Sequence, residues 1–112
     1  DVELRTDAGE LFEGFVIGEI LKGGENPENL HYYRSKDGKE VDLVIDRVSK
    51  LIPVEIKYKT RLKAGDVAGL LHFMETYKVR AGYLVSIGAL SSRGPVQKVD
   101  CFNLRSLLGS SG

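Results

Sequence analysis

The sequence predicts a single α/β domain, and three observations lead there. Segments near residues 11–21 and 63–77 repeat apolar side chains at helical spacing. Between them lie "NLHYYRS", "KEVDLVID" and "LIPVEIKYK", short runs rich in β-branched and aromatic residues and separated by turn signals. The chain has 112 residues, 42% of them hydrophobic and 29% charged, which is enough for one core without disulfides.

In the first helix, Asp7 is placed as the cap and Glu10 in the first turn, where carboxylates are favoured. Leu11, Phe12, Phe15, Val16, Ile17, Ile20 and Leu21 carry the period, and "KGGENPEN" stops it with Gly, Asn and Pro. The aromatic strand "NLHYYRS" then turns at Lys36–Asp37–Gly38 into "KEVDLVID". Strict alternation places Val41, Leu43 and Ile45 on one face, with Glu40, Asp42 and Val44 on the other. A loop from Arg47 to Lys50 leads into a strand from Leu51 to Tyr58. A second helix from Lys63 to Tyr77 shows Val67, Leu70, Leu71 and Met74 on its inner stripe and is expected to cover the sheet. "VRAGYLVSIG" reads as a buried strand, "VQKVDCFN" as a last strand and Leu104 to Leu108 as a short terminal helix. The domain is thus expected over residues 1–108, with 109–112 a tail. A start at Asp1 without Met, almost directly into a helix, reads as a piece of a longer chain.

Composition narrows the function classes. No apolar run approaches the roughly 20 residues of a membrane helix, and no signal peptide is present. The lone Cys101 cannot pair within the chain, which favours a reducing cytoplasm. Lys and Arg equal Asp and Glu at 16 each, so no global basic field announces a nucleic-acid binder. His31 and His72 have no partner at metal-ligand spacing, and His72 reads as an ordinary helix residue.

The polar residues inside "LIPVEIKYK" raise the functional question. Glu55, Lys57 and Lys59 alternate with Ile52, Val54, Ile56 and Tyr58, the pattern of a strand with one face in water. A hairpin loop of four residues, Arg47 to Lys50, pairs Asp46 with Leu51. That register sets Asp42 opposite Glu55 and Glu40 opposite Lys57, all four on one face. Two carboxylates directly opposite each other repel unless a cation lies between them. Lys57 supplies it in a salt-bridged sheet face; a divalent metal is the alternative, since Mg²⁺ accepts one or two carboxylates and keeps several waters. On the first helix, Glu13 precedes Val16, Ile17 and Ile20 by three, four and seven residues and so lies within the apolar side, where an ionised carboxylate needs a partner. Glu19, with Phe12 and Phe15 behind it, has the same need, and periodicity does not choose between the two.

Glu13 in "EGFV", Asp42 in "YYRSKDGKEVDLVI" and Glu55 with Lys57 in "VEIK" together resemble the PD-(D/E)xK nuclease superfamily. The nearer likeness is to nuclease-like domains of uncharacterised function at the C-termini of archaeal and bacterial AAA-type ATPases. It spans roughly Gly9 to Ser86, including "GLLHFMETYKVRAGYLVS". The proline of the superfamily's name is absent beside Asp42, and the chain holds no G-x-x-x-x-G-K-[ST] phosphate loop. The resemblance implies a restriction-endonuclease-like αβββαβ core, a mixed sheet flanked by helices. It favours Glu13 over Glu19 and implies that Asp42, Glu55 and Glu13 bind Mg²⁺ or Mn²⁺ while Lys57 stabilises charge during phosphodiester hydrolysis. Arg34, Lys36, Lys59, Arg61 and Lys63 are expected to flank the site and hold phosphates of a nucleic acid, DNA being favoured, and an ATPase is expected upstream. The competing expectations are a catalytically silent, nuclease-derived module that docks nucleic acid or its ATPase, and a purely structural domain.

Overall fold

The computed structural model describes residues 8–59, 61, 63–87, 95–100 and 104. Helix α1 (Ala8–Lys22) is followed by strands β1 (Leu30–Arg34), β2 (Glu40–Asp46) and β3 (Leu51–Ile56), helix α2 (Ala68–Tyr77), and strands β4 (Gly82–Ser86) and β5 (Val96–Asp100). The strands form one five-stranded sheet in sequence order. β1–β2 and β2–β3 are antiparallel, whereas β3–β4 and β4–β5 are parallel. The sheet is therefore mixed, and the expected order of a helix, three strands, a helix and then one or two strands is observed with two. The cap at Asp7, Cys101, the last strand beyond Asp100, the terminal helix beyond Leu104 and the tail at 109–112 lie outside the described residues. Among the described residues, no helix is long and apolar enough to cross a membrane.

Local chemistry sets the boundaries. α1 ends where Gly24, at φ 104, takes the left-handed turn and the Glu25 amide donates back to the Ile20 carbonyl. Asn26 then caps a single 3₁₀ turn, Pro27–Asn29, by accepting from the Glu28 amide at 2.9 Å. Gly38, at φ 89, closes the β1–β2 turn, where the Ser35 hydroxyl accepts from the Lys39 amide at 2.9 Å. Beyond β3 a 3₁₀ turn, Ala64–Val67, precedes α2, so the helix expected from Lys63 begins as α-helix only at Ala68. Asp66 is the cause: its carboxylate accepts from the Lys63 amide at 2.7 Å and tightens the first turn.

The sheet is covered on both faces. Phe12, Val16 and Ile20 of α1 pack on Leu43, Ile45, Ile52, Val54 and Ile56. Leu70, Phe73 and Met74 of α2 pack on Val41, Val44 and Leu84. Each such side chain, fully buried, contributes about 1.5–3 kcal/mol relative to exposure. Two expectations are corrected here. α1, not α2, covers Leu43, Ile45, Val54 and Ile56, and α2 turns Phe73 inward while Leu71 stays 42% exposed. A parallel partner on β3's second edge brings a crossover helix onto the other face, which the hairpin pattern alone does not announce.

β2 does not alternate strictly. His31 faces Val44 and Tyr33 faces Val41, so Asp42 and Leu43 together lie opposite the single residue Tyr32. This bulge inserts one residue and rotates the strand, which is why Val41 joins the α2 core while Leu43 joins the α1 core. The expected common face for Val41, Leu43 and Ile45 is thereby overturned. β3 ends at Ile56, not Tyr58. Beyond it the Lys57 amide still donates to the Val85 carbonyl of β4 at 2.9 Å, while the backbone ladder with β2 has already ended at Leu43↔Val54.

Candidate functional site

The ladder between β2 and β3 runs from Asp46↔Leu51 to Leu43↔Val54 and goes no further. The expected register therefore holds, and its next step would pair Asp42 with Glu55. Their side chains take over instead. The Asp42 amide donates to Glu55 Oε1 at 3.0 Å, and the Ile56 amide donates to Asp42 Oδ2 at 2.8 Å. Each carboxylate thus satisfies a backbone N–H that the parted strands would leave unpaired. The bulge draws β2 aside, β4 retains the end of β3, and two carboxylates occupy the gap.

Glu55 is 6% exposed, within a strand whose residues are otherwise apolar. This removes the water-facing sheet as an explanation for it. Burial, then the hydrogen bond and the negative charge of Asp42, push its carboxyl up to about 8, against a smaller opposing pull from Lys57. A cleft of about 540 Å³ opens beside the pair, lined by Glu10, Glu13, Asp42, Ile56, Lys57 and Tyr58 among others. Burial raises the Glu13 carboxyl, Asp42 and Glu10 add to the shift, and Lys57 opposes it. Tyr58 closes one wall with its ring 5.4 Å from Phe12.

Glu13, Asp42 and Lys57 are thus brought to one depression, with Glu55 buried beside Asp42. Glu19 is spent on Lys22 at 3.0 Å and takes no part. Glu40 does not face Lys57: it lies by Arg34 at 4.0 Å and accepts from the Tyr32 hydroxyl, which holds that phenol above its ordinary range. The four-residue polar face is corrected accordingly, because the bulge separates Glu40 from Asp42. Nor does Arg34, Lys36, Lys59, Arg61 or Lys63 line the depression. Lys59 is turned to Asp66 at 2.9 Å, and Asp66, with two donors on its carboxylate, is held below its usual range by the Lys63 amide first. Glu10 and Tyr58 also line the depression, although the sequence marks Glu10 only as a first-turn carboxylate and Tyr58 only as part of an apolar strand face; the signal for Glu10 is its place three residues before Glu13.

A family model described as Domain of unknown function (DUF4143) matches residues 8–106, nearly the whole chain. The chain belongs to the DUF4143 family. Searches of curated proteins and of solved structures each find no match.

The fit to a metal rests on the donors of this DUF4143 domain. Asp42, Glu55 and Glu13 offer only oxygen, which suits hard cations such as Mg²⁺ and Mn²⁺. Burial first, and then Asp42, keep Glu55 protonated, and a bound dication would offset both by favouring the ionised carboxylate. Among the described residues, however, no group of three or more His, Cys, Asp or Glu side chains stands ready to hold a metal. The three-carboxylate cage expected from the resemblance is not assembled. Asp42 and Glu55 form the pair, and Glu13 stands on the wall of the depression.

Proposed function

We propose that this domain is a metal-dependent phosphodiesterase of the PD-(D/E)xK type acting on nucleic acid, DNA being favoured. One observation carries the reading: the interlocked Asp42–Glu55 pair sits where the β2–β3 ladder ends, beside a depression that also holds Lys57 and Glu13. Asp42 and Glu55 would hold Mg²⁺ or Mn²⁺. When bound, the dication supplies Lewis-acid stabilisation of phosphate oxygens and eases deprotonation of the attacking water. Lys57 brings a compact positive charge to the developing phosphorane. Glu13, on the wall of the depression with its carboxyl raised above the usual range by burial first, would orient that water and accept its proton. The water oxygen would bond to phosphorus as the P–O bond to the leaving oxygen breaks, Glu13 taking the water's proton and solvent water supplying one to the leaving oxygen. On this reading an ATPase would lie upstream in the same chain, and the whole would work in the reducing cytoplasm that the lone Cys101 favours.

A second reading has its own observation. With no three-ligand group among the described residues and Glu55 neutral at physiological pH, the site is also compatible with a silent module that docks nucleic acid or its ATPase. Calorimetric titration with Mg²⁺ and Mn²⁺ on wild type and Asp42→Asn tests the first step. Nicking of supercoiled DNA, with Lys57→Ala retaining metal but losing rate, tests the second. Metal binding without cleavage favours docking, and no heat with either metal removes the enzymatic proposal.

A further inference from the structure

At the Leu51 end of β3, about 17 Å along the strand from Ile56, a second cavity of about 390 Å³ lies between the β2–β3 loop and the end of α2. Lys50, Lys78 and Arg80 line it, with Tyr77 and Tyr83, and none of its lining residues is acidic. In a chain of zero formal charge, this cavity thus has three cations and no counter-charge in its lining. Their sequence separation makes this a product of the fold, since Lys50 comes from the hairpin loop and the other two from the segment after α2.

The aromatic wall is packed against neighbouring rings. Tyr77 is edge-on to Tyr33 at 5.8 Å and tilted against Phe73 at 4.6 Å, yet remains 47% exposed. Two faces of its surroundings are therefore fixed while part of the ring stays open. Backbone strain gathers here as well. Among the described residues, two non-glycine residues have positive φ, Val48 at 66° and Lys78 at 58°, and both line this cavity. Glycine would adopt either conformation at lower cost. Held strain of this kind clusters at ligand sites. At Lys78, which lines the cavity, a lysine occupies the left-handed helix C-cap where glycine or asparagine is preferred.

We infer that this cavity binds a nucleoside phosphate, with the phosphate among Lys50, Lys78 and Arg80 and the base against Tyr77. The size lies within the range of small-ligand pockets. An aromatic platform beside cations is the combination that holds a base together with its phosphate. The assignment does not depend on the metal-site proposal, because the two sites share no residue.

The ligand could be a free nucleotide or part of a nucleic-acid strand, and one experiment separates the sources. In EDTA, so that metal plays no part, the protein is titrated with ADP by calorimetry and with a fluorescein-labelled single-stranded oligonucleotide by anisotropy. Binding of ADP alone assigns a free nucleotide; binding of the oligonucleotide alone assigns a strand; displacement of one by the other shows the pocket accepts both. In each case Lys50→Glu and Arg80→Glu should each weaken binding about tenfold, and Tyr77→Leu at least about fivefold. Lys78→Gly guards against misfolding: it should melt no lower than wild type and still bind about tenfold more weakly. The proposal is overturned by absence of binding to both probes, by variants that bind as wild type does, or by equal affinity for poly-glutamate, since cations alone would then suffice. Metal titration of the same samples is unaffected by this failure.

Discussion

At the Ile56 end of β3 a depression gathers Glu10, Glu13 and Asp42 around Lys57, whereas at the Leu51 end a cavity gathers Lys50, Lys78 and Arg80 with no acid among its lining residues. The same strand thus separates an acidic site from a basic one. A zero formal charge conceals this, because net charge sums over the chain while contacts depend on local fields. The ends also differ in how they are built. The acidic end is held by reciprocal side-chain to backbone hydrogen bonds where a ladder stops, and the basic end by two residues in left-handed conformations.

The largest expected effect breaks the acidic end alone. Asp42→Asn should abolish metal binding and lower metal-dependent nicking by at least about a hundredfold, and Lys57→Ala should lower the rate by about the same factor while metal still binds. Nucleotide binding at the basic end should be unchanged in both. Loss of binding at both ends on Asp42→Asn would mean the sites are not separate.

The second test is pH. Between its ordinary 4.5 and about 8, Glu55 keeps in the native state a proton that the unfolded chain has released. The native state binds more protons across that window, so stability falls as pH rises through it, by at most about 1.4 kcal/mol per unit. The contribution is fully present below 4.5 and lost above about 8. The raised Glu13 carboxyl acts in the same direction. Urea melts from pH 4 to pH 9 should show this slope, and Glu55→Gln should flatten most of it. Added Mg²⁺ should compete with the proton and recover stability at the alkaline end.

Packing at the acidic end provides the third. A Cβ on Gly69 of α2 would collide with the Glu40 carbonyl oxygen, so Gly69→Ala forces helix and strand apart and should cost about 2 kcal/mol. Because this contact lies at the start of β2, metal affinity should suffer more than nucleotide affinity. The smallest effect belongs to the basic end. Lys78→Gly relieves the left-handed strain and should gain about 1 kcal/mol, read as a rise in Tm. A fall in Tm would mean that Lys78 is kept for stability instead of binding.

Much of the architecture was legible in the sequence because periodicity and turn chemistry are local. The α1 stripe of Phe12, Val16 and Ile20, the turn at Gly38 and the Asp46↔Leu51 hairpin register all follow from neighbours within a few residues. That Asp42 and Glu55 adjoin followed from the same register. The β2 bulge did not, because an inserted residue leaves the apolar pattern of "EVDLVID" intact and shows only in which core each side chain joins. Choosing Glu13 over Glu19 needed either the resemblance or the fold, since both are compatible with the helix period.

By itself, then, the sequence determined the order of the elements, the hairpin register and the identity of the carboxylate pair. Tertiary structure alone decided three further things: that both faces of β3 are covered so Glu55 is buried, that Arg34, Lys36, Lys59, Arg61 and Lys63 stand away from the depression, and that Lys50 meets Lys78 and Arg80. The physical reason is range. Hydrogen-bonding propensity and side-chain period act over a turn or a strand, whereas burial and electrostatic grouping depend on which distant segments the crossover and the bulge bring together.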